Sequence, residues 1–173
     1  MRTFISINIS EEIRKEIKKI QDFLPEFSGK KTELENLHLT LKFLGEIDIE
    51  KLEEVKKRLR KIKIEKFKTE IDEIGIFSPN FIRIVWLHMK DCDNLQKQID
   101  NALKNLFEPE KRFMSHLTIA RIKGIKDKKR FLQDLEKIKI EKIKFKVDKF
   151  YLMKSELTAE GPRYSVLEEY NLN

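Results

Sequence analysis

The sequence predicts an α+β fold of two similar lobes. Each lobe is expected to carry an antiparallel sheet with helices on its outer face, the two being related by a pseudo-twofold axis across a central cleft. Two observations carry this reading. Along the 173-residue chain, apolar periodicity alternates between two residues and about 3.6 residues, the signatures of strand and helix. The order of elements then repeats: "HLTLKFLG" begins at residue 38 and "HLTIARIK" at residue 116, 78 positions later. At that offset the strand at 4–9 falls on 82–87, the helix at 48–62 on 126–140, and Phe67 in one "KFK" on Phe145 in another. At an offset of 76, "KIKIEK" (61–66) recurs at 137–142, a weak match in a chain so rich in Lys, Ile and Glu. The expectation is one domain over 1–173 built by internal duplication. The halves would lie at approximately 1–78 and 79–173, with terminal strands free to exchange between lobes.

Each element has a local cause. Residues 2–9 read as a strand; Ser10 then caps a helix whose first turn holds Glu11 and Glu12, the favourable sign at a helix N-terminus. Its apolar stripe is Ile13, Ile17, Ile20 and Leu24. Residues 36–44 alternate as a strand, and Asp48 caps a second helix with the stripe Leu52, Val55, Leu59 and Ile62. A strand at 67–77 ends in the turn "SPN" (78–80). The second half follows with a strand at 81–89, a helix at 93–107 (Leu95, Ile99, Leu103, Leu106), a strand at 112–122 and a helix at 127–139 (Phe131, Leu135, Ile138). Strands at 143–154 and 163–170 close the chain around "TAEGP", whose Gly-Pro is a turn signal.

Composition bounds the function. Apolar residues are 40% and charged residues 39%, enough to fill a core under a heavily charged exterior. A chain this long buries about 70% of its unfolded surface and needs no cross-links. The formal charge of +7 suits an anionic partner such as RNA, and equally an ordinary soluble protein. Abundant Lys, Glu and Ile with scarce Gln is the bias of heat-adapted proteins. The lone cysteine, Cys92, excludes an intramolecular disulfide and a thiolate metal cluster. The opening "MRTFISINIS" is too short for a signal-peptide core, and no run approaches 18 apolar residues. The expectation is a cytoplasmic monomer with no membrane contact.

The repeated phrase carries the chemistry. In a strand, alternate residues share a face, so His38 and Thr40 point one way, as do His116 and Thr118. Leu39, Leu41, Leu117 and Ile119 point into the layer behind and fix the register. Across a twofold axis these strands present two imidazoles and two hydroxyls to one cleft. Imidazole titrates near pH ~6.5, so one copy can take a proton from water while the other gives a proton to a leaving alkoxide. The threonines supply hydrogen bonds to the developing anion. That is a constellation for displacement at a phosphodiester. A zinc site is the competing use of paired histidines, but there is no third ligand, cysteine pair or HExxH spacing here. His88 lies outside both phrases and reads as a strand-end or core residue.

At this point the chain resembles the 2H phosphoesterases, and within them the RNA 2′,3′-cyclic phosphodiesterase branch, also called 2′-5′ RNA ligases. "HLTLKFLG" and "HLTIAR" look like the two signature motifs. "MRTFISINI" resembles the opening strand, "RIVWL" (83–87) the central strand and "LMKSELTAEGPRYSVLEEY" (152–170) the closing hairpin. Ser115 departs from the proline expected before the second histidine. The resemblance implies a bilobal fold and hydrolysis of RNA 2′,3′-cyclic phosphate ends, or of nucleoside 2′,3′-cyclic phosphates, to 2′-phosphomonoesters. It implies no metal and no other cofactor, and reversible 2′-5′ ligation. It assigns His38 as proton donor, His116 as proton acceptor, and Thr40 and Thr118 to the phosphate.

Further candidates for RNA contact are Lys42, Arg121 and Tyr164. Lys42 shares strand parity with His38, though a solvated lysine fits that position as well. Arg121 has the opposite parity to His116 but sits at the strand's end, and guanidinium grips phosphate bidentately. Arg163 and Tyr164 flank the closing turn, while Phe43 and Trp86 are stacking candidates better explained as core. Two other functions remain open: a non-catalytic nucleotide- or RNA-binding module, and a sibling phosphodiesterase acting on another small cyclic phosphate.

Overall fold

The computed structural model describes residues 1–173 as four helices on one curled, nine-stranded antiparallel sheet. In chain order the strands are β1 (Arg2–Asn8), β2 (Ser28–Lys31), β3 (His38–Glu46), β4 (Phe67–Ile76), β5 (Ile84–Met89), β6 (His116–Gly124), β7 (Ile143–Val147), β8 (Lys149–Thr158) and β9 (Gly161–Asn171). The helices are α1 (Glu11–Asp22), α2 (Ile49–Leu59), α3 (Asp93–Ala102) and α4 (Lys128–Glu136). Ser10, Asp48 and Asp127 cap α1, α2 and α4 by accepting the main-chain N–H three residues on.

The strand order is β7-β4-β5-β6-β3-β1-β8-β9, with β2 added against the far part of β6. Two four-stranded halves therefore meet at the centre, where β3 and β6 touch through the pair Leu39–Leu117. The pairing crosses the sequence halves: β4 completes the half that holds β5 and β6, while β8 and β9 complete the half that holds β1 and β3. The sheets expected as two are thus joined edge to edge. Residues 143–154, read as one strand, are two, β7 and β8, which lie at opposite ends of the sheet.

The core lies between the helices and the convex face of the sheet. Leu39, Leu41, Leu117 and Ile119 are buried there with Ile5, Ile7, Val85 and Leu87, as the alternation requires. The helix stripes close the other side through Ile13, Ile17, Val55, Leu59, Leu95, Ile99 and Phe131. Each apolar side chain removed from water here contributes about 1.5–3 kcal/mol.

Both histidine strands break their alternation at the same place. In β3 the register runs Ser6–Thr40 and then Ile5–Lys42, so Leu41 is an extra residue. In β6 it runs Trp86–Thr118 and then Val85–Ala120, so Ile119 is the extra residue. Each is a β-bulge, and each reverses which side chains face outward beyond it. The orphaned Ile119 carbonyl accepts from the Thr32 N–H at 2.9 Å and from the buried Gln21 side chain of α1 at 3.0 Å.

Candidate active site

The concave face of the sheet carries the site, and register alone builds it. Because Leu39 opposes Leu117 in an antiparallel pair, His38 stands beside Thr118 and Thr40 beside His116. The outer neighbours follow: Asn8 lies across from His38, Ser6 across from Thr40, His88 across from His116 and Trp86 across from Thr118. The two strand pairs are thus related at an offset of 80 for β1 and β5, while the histidines are 78 apart. The sequence offset of 78 puts the first strands two residues out of register, a shift that preserves the face.

Both imidazoles are held the same way. His38 Nδ1–H donates to the Asn36 carbonyl at 2.7 Å, and His116 Nδ1–H to the Met114 carbonyl at 2.7 Å. A carbonyl only accepts, so the proton of each neutral ring sits on Nδ1 and Nε2 is left bare toward the cleft. The Thr40 hydroxyl donates to His38 Nε2 at 3.1 Å. When His38 gains a proton, that hydroxyl becomes acceptor and its own hydrogen is freed for an anionic oxygen. Carbonyls two residues before each histidine lie outside the repeated phrase, and sequence reading missed them. Asn36 and Met114 do stand at the shared 78-residue offset.

Aromatic rings frame both imidazoles. Tyr164 meets His38 edge-on with centroids 5.0 Å apart, and Phe4 lies 5.0 Å away on another side. Phe77 meets His116 edge-on at 5.0 Å and also contacts Trp86. Burial pushes the His38 pKa below its usual value, the Asn36 carbonyl works against this, and Coulombic repulsion from Arg121 and His116 adds to the lowering. Tyr164 is raised by burial and lowered in part by Arg121.

The other candidates divide at the bulges. Arg121 is exposed and forms no ion pair, and the bulge at Ile119 returns it to the face of His116 and Thr118. By the same geometry in β3, Lys42 turns away. It is 2% exposed on the core side, where its ammonium donates to Asp100 of α3 at 2.6 Å and to the Glu108 carbonyl at 2.7 Å. Lys42 therefore does not reach a bound RNA, and the expectation of an RNA contact is corrected. Phe43 takes its place on the cleft face, 67% exposed, whereas Trp86 is buried. Tyr164 is half-buried against His38, and Arg163 beside it is exposed. His88 is half-buried, with Nδ1 2.7 Å from Asp72.

No group of three or more His, Cys, Asp and Glu side chains converges in a way that could hold a metal ion. A groove of about 760 Å³ between residues 25–28 and 124–134 contains neither histidine nor thiol. Chemistry, not cavity size, marks the site.

The comparisons agree with this geometry. The family model described as LigT like Phosphoesterase matches residues 7–86 and 89–164. A protein of Methanocaldococcus jannaschii named RNA 2′,3′-cyclic phosphodiesterase is 39% identical over 98% of this chain and 100% of its own length. One of the same name from Thermotoga maritima is 35% identical over 98% of this chain and 94% of its own. Among solved structures, E. coli LigT complexed with NADP+ superposes with a TM-score of 0.78 at 26% identity, covering 99% of this chain and 97% of that one. The protein TT0787 of Thermus thermophilus reaches a TM-score of 0.80 at 26% identity over 99% and 97% of the two chains. No helix is long and apolar enough to cross a membrane. With its paired histidine strands and a match running through both halves, the chain belongs to the LigT like phosphoesterase family.

Proposed function

We propose that this protein is an RNA 2′,3′-cyclic phosphodiesterase that opens the cyclic ends of RNA to 2′-phosphomonoesters. The observation that carries the reading is the quartet His38, Thr40, His116 and Thr118, set around one point by the Leu39–Leu117 pair, with both Nε2 atoms facing inward. Water attacks phosphorus in line with the departing 3′ oxygen. His116 Nε2 takes the water proton as the P–O bond forms. His38 Nε2–H gives its proton to O3′ as the P–O3′ bond breaks, leaving a 2′-phosphate and a 3′-hydroxyl. Thr40 and Thr118 donate to the non-bridging oxygens. Arg121 holds the phosphate or the next nucleotide, and Tyr164 borders the ribose. If an RNA 5′-hydroxyl replaces water, the same steps give a 2′-5′ linkage, so ligation is the reaction run with a different nucleophile. RNA ends and nucleoside 2′,3′-cyclic phosphates are thus the partners, met in the cytoplasm by a monomer. The offset between the halves supports an origin by internal duplication.

The direction of proton transfer rests on the two surroundings. His38 is enclosed by Phe4 and Tyr164, which suits a ring facing the substrate's leaving oxygen, and an imidazolium kept at low pKa is a strong acid. The bound phosphate anion restores the proton that burial disfavours. The lowered pKa also favours the reverse reading, with His38 as the neutral base. The pH profile separates them. If His38 is the acid, kcat/KM falls as pH rises through its lowered pKa, below 6.5, and His38→Ala removes that alkaline limb. Loss of the acid limb instead reverses the roles.

Two imidazoles without a third ligand need no metal to move protons. Turnover is expected to be unchanged after exhaustive EDTA treatment; activity lost to EDTA and restored by zinc or manganese contradicts this mechanism. A panel of cyclic phosphates tests the substrate. Cyclic phosphates ending an RNA are expected to have the highest kcat/KM. Preference for a different small cyclic phosphate points to a sibling activity, and tight binding without turnover to a non-catalytic module.

A further inference from the structure

Asn36 does two things at once. Its main-chain carbonyl accepts the His38 Nδ1–H at 2.7 Å, and its side-chain Nδ2 donates to the Pro162 carbonyl at 3.2 Å. Pro162 belongs to the tip of the β8–β9 hairpin, two residues before Tyr164, whose ring closes over His38. A second tie fixes the same tip: Lys30 of β2 donates to the Glu160 carbonyl at 3.1 Å and is itself paired with Glu33. Met114, the counterpart of Asn36 beside His116, repeats the carbonyl contact, but no hydrogen bond from its side chain reaches the hairpin. The hairpin therefore binds one histidine of the pair and leaves the other alone.

The geometry points to Asn36 as a positioning residue that couples hairpin closure to the orientation of His38. It acts only through His38 and Tyr164 and does not touch the reacting atoms. With the side-chain tie in place, Tyr164 holds the imidazole against Phe4 while the Asn36 carbonyl fixes its tautomer. Without the tie, Lys30 alone holds the hairpin tip, Tyr164 loosens over the imidazole, water reaches the ring, and Nδ1–H is held less firmly to its acceptor. The coupling breaks the twofold symmetry of the site and gives the two histidines different surroundings. It rests on the reading of His38 as a reacting group.

The test uses the full chain with Asn36→Ala and Asn36→Leu. Both keep the main-chain carbonyl, and neither can donate to Pro162. Leu is close to Asn in size and adds no charge beside His38, which guards against loss of the fold in the alanine variant. Nitrogen NMR of the histidine rings and steady-state kinetics on a nucleoside 2′,3′-cyclic phosphate are read together. Arg121, His116 and Tyr164 are the titratable groups that face His38, and they are unaltered in both variants. Either folded variant should lose about fivefold in kcat, the order of one neutral hydrogen bond, with KM little changed. The His38 titration should move up toward its ordinary value, and that of His116 should stay in place. A folded variant with wild-type kcat and an unmoved His38 titration overturns the coupling. If His38→Ala itself keeps full turnover, the active-site reading fails first, and the NMR still reports whether the tie orients the ring.

Discussion

Alanine at either His38 or His116 lowers kcat for a nucleoside 2′,3′-cyclic phosphate by about 10² to 10⁴-fold, the range for a positioned general acid or base. The loss should fall on kcat and kcat/KM together, because proton transfer occurs only in the transition state. The paired substitution should cost much less than the product of the two single losses, since base and acid act in one step. Thr40→Val and Thr118→Val should cost less than either histidine change, up to about 10² to 10³-fold, the value of one donor to a developing anion. Steady-state rates on the five proteins check this. A histidine variant with wild-type turnover removes that ring from the reaction.

The second large effect is on stability. Lys42→Met leaves Asp100 without its cation in a site that is nearly closed, Lys42 being 2% and the Asp100 side chain 11% exposed. Burial raises the Asp100 pKa, but hydrogen bonds from Lys42, Gln96 and the Glu110 N–H overcome it and hold the carboxyl below its ordinary value. Breaking a buried pair from one side costs about 3 kcal/mol or more, because the remaining charge is uncompensated. For a chain of this size that lowers Tm by roughly 6–12 °C. Adding Asp100→Asn should recover part of the loss. KM should hold in the folded fraction, whereas a lysine that gripped RNA would raise KM and leave Tm alone. Calorimetry with kinetics on the same samples separates these outcomes.

The contrast between Lys42 and Arg121 explains how far the sequence could be read. The common face of His38, Thr40, His116 and Thr118 was legible because His-Leu-Thr repeats and the leucines between them must be buried; nothing intervenes between His38 and Thr40 to alter it. Beyond the threonines the parity count failed in both strands for one reason. A bulge adds a residue without any mark in the sequence, since Leu41 and Ile119 look like ordinary strand residues. Counting by twos then turned Lys42 toward the cleft and Arg121 away from it, the reverse of what the structure holds. Phe43, a stacking candidate read as better explained by the core, is exposed. The helices were found almost to the residue at their starts because Ser10 and Asp48 cap them locally. The sheet order was not legible, because pairing β4 with β7 and β1 with β8 is decided by packing between distant segments. Strand β2, "SGKK", has no apolar alternation; it exists because the edge of β6 offers it hydrogen bonds. Asn36 and Phe77 carry no local signal, and only the fold brings them to the histidines.

The proposed placement of two imidazoles on opposite sides of one phosphorus makes a directional prediction. If the ring of a 2′,3′-cyclic phosphate binds in a single orientation, only one of its two ester oxygens lies beside the acid. Phosphorus NMR of the products of cyclic CMP hydrolysis reads this directly. The account predicts a single resonance for the 2′-phosphate. A 3′-phosphate, or an even mixture of the two, contradicts it.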